Sequence, residues 1–156
     1  MALDADMSAA RRQWQTGVVL VGLQFSMIAA LAWPWGGYTA SLTGASLILL
    51  GVALGIATLA VNRIGNFNIH PAPKASGLLI ETGPYRYVRH PMYVAVLLVA
   101  AGLAACDAVA WKWLLWAVLA AVLRLKASLE ETMLKRTYPD YAAYCGRTGA
   151  FVPRPR

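Results

Sequence analysis

The sequence predicts an all-α fold, an integral membrane bundle of about four transmembrane helices, and three observations support that class. Of 156 residues, 59% are hydrophobic and 13% charged, whereas a soluble domain carries roughly 25% charged residues. Apolar runs extend from Gly17 to Trp33, from Leu42 to Val61 and from Met92 to Leu125. The last run exceeds one crossing of about 20 residues, and Cys106-Asp107 interrupts it as the tip of a hairpin would. The length suits a single domain over residues 1–156.

Helix 1 is expected near residues 16–33. Arg11-Arg12 and a run ending Ala30-Leu31-Ala32 imitate a secretory signal. The run is long for a signal core and a membrane domain follows, so an uncleaved helix is expected. Helix 2 is expected near 42–63, where Gly51 and Gly55 permit close helix packing within the chain. Pro71, Pro73 and Gly77 forbid a regular helix in the next loop. There Leu78-Leu79-Ile80 reads as a short extended run with backbone groups on offer. Helix 3 is expected over 91–105. Pro91 suits a first helical position, where a missing N–H costs nothing. His90 then sits at the cap, where the helix dipole favours an anionic ligand group. This arm is short at about 1.5 Å per residue and spans only with local bilayer thinning. Helix 4 is expected over 108–127, with Asp107 as its N-cap. Tyr141 and Tyr144 then share one face of a short C-terminal amphipathic helix.

The net charge is +7 and unevenly spread. Arg11 and Arg12 precede helix 1, and Arg63, Lys74, Arg86 and Arg89 lie between helices 2 and 3. Arg124, Lys126, Lys135, Arg136, Arg147, Arg154 and Arg156 end or follow helix 4. The positive-inside rule therefore puts both termini and the 63–91 loop in the cytoplasm of a bacterial inner membrane. Lys112 falls on the other side, expected to snorkel among Trp33, Trp35, Trp111 and Trp113. The basic excess reads as topology and attraction to the lipid bilayer, not as nucleic-acid binding. Cys106 and Cys145 lie on opposite sides, so no disulfide is expected. With only His70 and His90, no metal spacing exists.

Three segments carry polar chemistry on the predicted cytoplasmic side. They are the loop from Asn66 to Ile80, the run Gly83-Pro84-Tyr85-Arg86-Tyr87-Val88-Arg89-His90-Pro91-Met92-Tyr93, and Lys126 with Glu130-Glu131. Ionisable groups beside a bilayer are costly and mark functional sites. A helix N-terminus beside His90 and Arg89 suits a carboxylate, and Glu130 suits an ammonium. Tyr85 and Tyr93 suit an aromatic base or a sulfonium. A zwitterionic amino-acid cofactor needs these features together.

Arg89-His90-Pro91-Met92-Tyr93, followed by a hairpin, Glu130-Glu131 and Tyr138-Pro-Asp-Tyr141, resembles the isoprenylcysteine carboxyl methyltransferases and the related phospholipid methyltransferases. The resemblance covers residues 70–153. It implies S-adenosylmethionine as cofactor, held in a cytoplasmic pocket, and a membrane-borne amphiphilic or lipidic methyl acceptor. It implies cofactor contacts from His70, Leu78, Leu79, Ile80, Tyr85, Arg89, His90, Pro91, Met92, Tyr93 and Glu130. It also puts Lys126 where the family addresses the acceptor carboxylate with an arginine. A point-like ammonium there replaces a bidentate fork. Arg124 lies about 200° around the helix from Lys126 and is a poor substitute. O-methylation of a carboxylate is the leading expectation, with entry of the acceptor between helices 3 and 4. N-methylation of a lipid amine is the alternative, in which Glu131 or Tyr93 is the candidate base. A small transporter or scaffold is the reading from another class. The oligomeric state stays open.

Overall fold

The computed structural model describes residues 2–66, 79–107 and 109–154. His70 and Leu78, along with the rest of residues 67–78, lie outside the described residues. The fold is all-α, with helices α1 (Ala2–Ala32), α2 (Leu42–Asn66), α3 (Pro91–Ala105), α4 (Trp111–Thr137) and α5 (Tyr141–Arg147). A 3₁₀ turn at Gly83–Arg86 precedes α3. No strand occurs among the described residues, only the isolated bridges Tyr38–Asp107 and Val88–Gly149.

Among the described residues, two segments are long and apolar enough to cross a membrane, Trp14–Ala32 and Leu42–Asn62. Helix α3 is apolar but shorter. It runs from Pro91 at its first turn to Ala105, as the sequence predicts. Helix α4 differs from expectation at both ends. It extends ten residues past 127, to Thr137, and it starts at Trp111 with Ala110 as its cap. Asp107 is therefore not an N-cap. Its carboxylate instead accepts from the Gly36 N–H at 3.0 Å and pairs with Lys112 at 2.6 Å.

Lys112 also departs from the expected role. It does not snorkel, because its side chain is fully buried. Its ammonium donates to the carbonyls of Leu31 at 2.9 Å and Trp33 at 2.8 Å. Those carbonyls lie at the C-terminal end of α1, which lacks further turns to satisfy them. Burying a charge is tolerable when it is paired and hydrogen-bonded, as here. Trp33, Trp35 and Trp111 sit around this clasp, with Trp35 and Trp111 edge to face at 5.3 Å.

Helix α3 lies among α1, α2 and α4. Its seam with α2 is backbone on backbone. A Cβ at Gly51 would come within 2.8 Å of the Ala95 carbonyl and 2.9 Å of the Val99 N. A Cβ at Gly102 would lie 2.6 Å from the Gly44 carbonyl. Gly44, Gly51, Thr58 and Asn62 are buried residues of α2. Their spacing of seven, seven and four keeps them on one face. This places Gly51 and Gly55 against α3 of the same chain, in line with the expected intramolecular packing. On the other side of α3, Ala100 and Ala104 join Leu31, Leu119 and Leu123 in one apolar cluster. The small residues of α3 let large ones from α1 and α4 close around it.

Candidate functional site

The site forms where the turn before α3, the charged end of α4 and the C-terminal segment meet. Tyr141 and Tyr144 of α5 are buried, and the Tyr144 hydroxyl donates to the Tyr85 carbonyl at 2.6 Å. The chain after α5 runs beside residues 88–90. Arg89 N–H donates to Gly149 at 2.8 Å, and His90 N–H to Ala150 at 3.1 Å. Phe151 is thereby carried against His90 and Tyr93, with ring centroids 5.8 and 6.3 Å away.

His90 caps α3 through its backbone, since its carbonyl accepts from the N–H groups of Tyr93 and Val94. No side-chain cap bond forms. The imidazole is instead bracketed by the two glutamates. Nδ1 lies 3.5 Å from Glu130 Oε2 and Nε2 lies 3.1 Å from Glu131 Oε1. The Tyr93 ring stacks on the imidazole at 5.4 Å with the planes 3° apart. Its hydroxyl donates to Glu130 Oε1 at 2.5 Å. Adjacent glutamates point about 100° apart on a helix, and their work divides accordingly. Glu130 faces Tyr93. Glu131 faces Arg89, whose Nε donates to it at 2.9 Å. The Arg89 guanidinium also donates to the carbonyls of Thr148 and Cys145.

The charges follow from these contacts. Burial pushes the His90 imidazole down, but the hydrogen bonds and negative charge of Glu130 and Glu131 outweigh it and leave it raised. Burial pushes Glu131 up, and His90 with Arg89 outweighs it, pulling the carboxyl down to about 2. For Arg89, burial works against the charge, and Glu131 restores and exceeds it. Burial, then Glu130, pushes the Tyr85 phenol up to about 12. At neutral pH Glu131 is an ionised, fully engaged carboxylate and a weak proton acceptor.

Lys126 belongs to the same assembly, one turn before Glu130 on α4. It is 3% exposed. Its ammonium lies 5.2 Å from the centroid of the Tyr93 ring and donates to Gln24 Oε1 of α1 at 3.1 Å. Arg124 points elsewhere, over Phe151 at 5.9 Å.

His90, Tyr93, Lys126, Glu130, Glu131 and Arg89 thus come together, with Tyr85 beside them. Leu79 and Ile80 are half-buried in irregular chain leading into Glu81. Pro91 is fully buried in the first turn of α3. Met92 faces away from the glutamates into a wholly apolar crevice of about 240 Å³. Ile28 and Leu31 of α1, Gly51 and Gly55 of α2, and Val96 of α3 line it with Met92. Further along, Ala100 and Ala104 of α3 pack with Leu119 and Leu123 of α4. The crevice lies where α1 and α2 stand apart.

Four participants were not legible as such. Gln24 had a signal, an amide within an apolar run. Phe151 had none, and the carbonyls of Cys145 and Thr148 carry no side-chain signature.

The family model for phospholipid methyltransferases matches residues 39–141. Two relatives share 32% identity with the chain. One is a cobalt-zinc-cadmium resistance protein of Cupriavidus metallidurans, aligned over 69% of this chain and 50% of the relative. The other is a nickel-cobalt-cadmium resistance protein of Alcaligenes xylosoxydans xylosoxydans, aligned over 70% and 51%. The chain therefore spans about half the length of these curated relatives. No solved structure matches.

Proposed function

The chain belongs to the phospholipid methyltransferase family, a family of membrane methyltransferases, and from that premise we propose that it O-methylates the carboxylate of a membrane-borne amphiphile. The observation that carries the carboxylate is Lys126. Its buried ammonium has a neutral amide, an aromatic face and, one turn on along α4, Glu130 as neighbours. Glu130 is bonded to Tyr93 and paired with His90, and Glu131 is held by Arg89 and His90. A buried cation so placed favours an anionic ligand and repels a cationic one.

S-adenosylmethionine, when bound, supplies a methyl group on a sulfonium, which leaves as a neutral thioether as the methyl joins the acceptor. The donor set suits that group. Glu130 offers a carboxylate to an ammonium, and Tyr85 and Tyr93 offer ring faces to a sulfonium or a base. Pro91 and Met92 provide the start of α3, with Leu79 and Ile80 alongside. His70 and Leu78 keep their expected contacts as part of this proposal. Arg89 receives a different job, since it reaches the site through Glu131 and the C-terminal segment. Glu131 then orients His90 and is not a base. None is required, because a carboxylate attacks without losing a proton. The residues contribute chiefly position and charge.

The apolar crevice beside Met92 suits an acyl or prenyl chain entering sideways from the bilayer. The cationic bias of the His90 end supports a cytoplasmic site and cytoplasmic termini on a multi-pass chain. The relatives' metal-resistance names fit this chemistry in one physical way. Methylating a surface carboxylate removes a negative charge, and with it some attraction for divalent cations.

N-methylation of a phospholipid amine is the second reading, favoured by the family's description. Incubating the full chain with methyl-labelled S-adenosylmethionine and a membrane lipid extract separates the two. A carboxyl methyl ester releases volatile methanol in alkali. Label that survives alkali on an amine overturns the first reading, and absence of label overturns both.

A further inference from the structure

Gln24 lies on α1, outside the 39–141 span that matches the family. It is 8% exposed, in the middle of an apolar helix. A buried amide on a membrane helix needs a partner, and this one has Lys126, 102 positions away in sequence. The amide orientation follows from chemistry, since an ammonium has no acceptor and must face the oxygen. The contact directs Lys126 across the Tyr93 ring. A glutamate at this position would hold Lys126 equally well but would cancel its charge. A glutamine holds it and adds no negative charge beyond that of Glu130, one turn on.

We propose that Gln24 is a positioning residue that sets the charge preference of the acceptor site. It fixes Lys126 beside Tyr93 without adding a second carboxylate to the one on Glu130, so the site takes an anionic head group and refuses a cationic one. The inference rests on the carboxylate reading above and names the residue that enforces it. It also makes α1, a helix beyond the family match, part of the specificity of this chain.

The test is equilibrium binding of two labelled probes, N-dodecanoylglycine as anion and dodecylamine as cation. The full chain is held in nanodiscs of zwitterionic lipid, and empty discs are subtracted. The wild type should prefer the anion. Gln24→Glu should lower the anion-to-cation affinity ratio by about tenfold or more, because an internal counter-ion now sits on Lys126. Gln24→Met, similar in length and neutral, should also lower the ratio, by about threefold or more, because Lys126 is no longer held beside Tyr93. A purely structural role would weaken both probes equally in Gln24→Met, so an unchanged ratio in that variant overturns the proposal. Calorimetric binding of S-adenosylmethionine to each variant checks that the fold persists. The labelled product identifies the acceptor separately. An amine product together with a ratio that still falls in Gln24→Met would sink the carboxylate reading and leave the role of Gln24 standing.

Discussion

Glu130 and Glu131 are chemical twins that the helix sends to different tasks. Glu130 shares its carboxylate with Tyr93 and His90 and faces the proposed cofactor. Glu130→Ala should remove measurable S-adenosylmethionine binding in a calorimetric titration, and an unchanged affinity would defeat its assignment. Glu131 ties Arg89 and His90 to the end of α4. Its carboxyl is depressed from 4.5 to about 2. The stability it contributes is therefore complete above about 4.5 and is lost as pH falls toward 2. His90 is raised from 6.5, so its contribution is complete below that value and fades as pH climbs through the raised one. Thermal melting in detergent should show both arms. Glu131→Gln should flatten the acid arm, and a profile identical to wild type would remove the ion pairs from the account.

Among the helices, α3 was the most legible, because a proline starts it and Cys106-Asp107 ends its apolar run. The apolar part of α1, and the gross positions of α2 and α5, followed from hydropathy and from paired tyrosines, whereas the first 14 residues of α1, Ala2 to Gln15, lie before the expected start near 16. The start of α4 and the role of Lys112 did not follow. Asp107 is a good cap by type, yet Lys112 lies five residues on and outcompetes a backbone N–H for its carboxylate. The cluster at the start of α3 was visible as residue types. Its wiring through Gln24 and Phe151 was not, since those contacts cross 61 to 102 positions and leave no local pattern. The α2–α3 seam makes its own prediction. Gly51→Ala places a methyl 2.8 Å from the Ala95 carbonyl, and backbone cannot move aside cheaply. The melting temperature should fall, by an amount corresponding to about 1–3 kcal/mol. A neutral substitution would mean that the helices do not meet there.

At the scale of the molecule, the two ends of the bundle are built differently. The His90 end gathers charge, rings and the C-terminal segment into one assembly. The far end holds a tryptophan cluster and the Lys112 clasp. In the proposed orientation, and with Cys106 and Cys145 both replaced by serine, a cysteine replacing Arg154 reacts with an impermeant maleimide in inside-out vesicles only, and one replacing Trp113 in right-side-out vesicles only. The opposite pattern would invert the topology. The clasp has a further consequence for biogenesis. Two carbonyls at the exit of α1, those of Leu31 and Trp33, wait for a lysine 81 and 79 positions later in the chain. Helix α1 leaves the ribosome long before its last hydrogen bonds exist, so its exit must remain provisional until α4 has been synthesised. Assembly of this bundle is therefore gated by its penultimate helix, and a chain truncated before Lys112 would leave α1 inserted but unfastened.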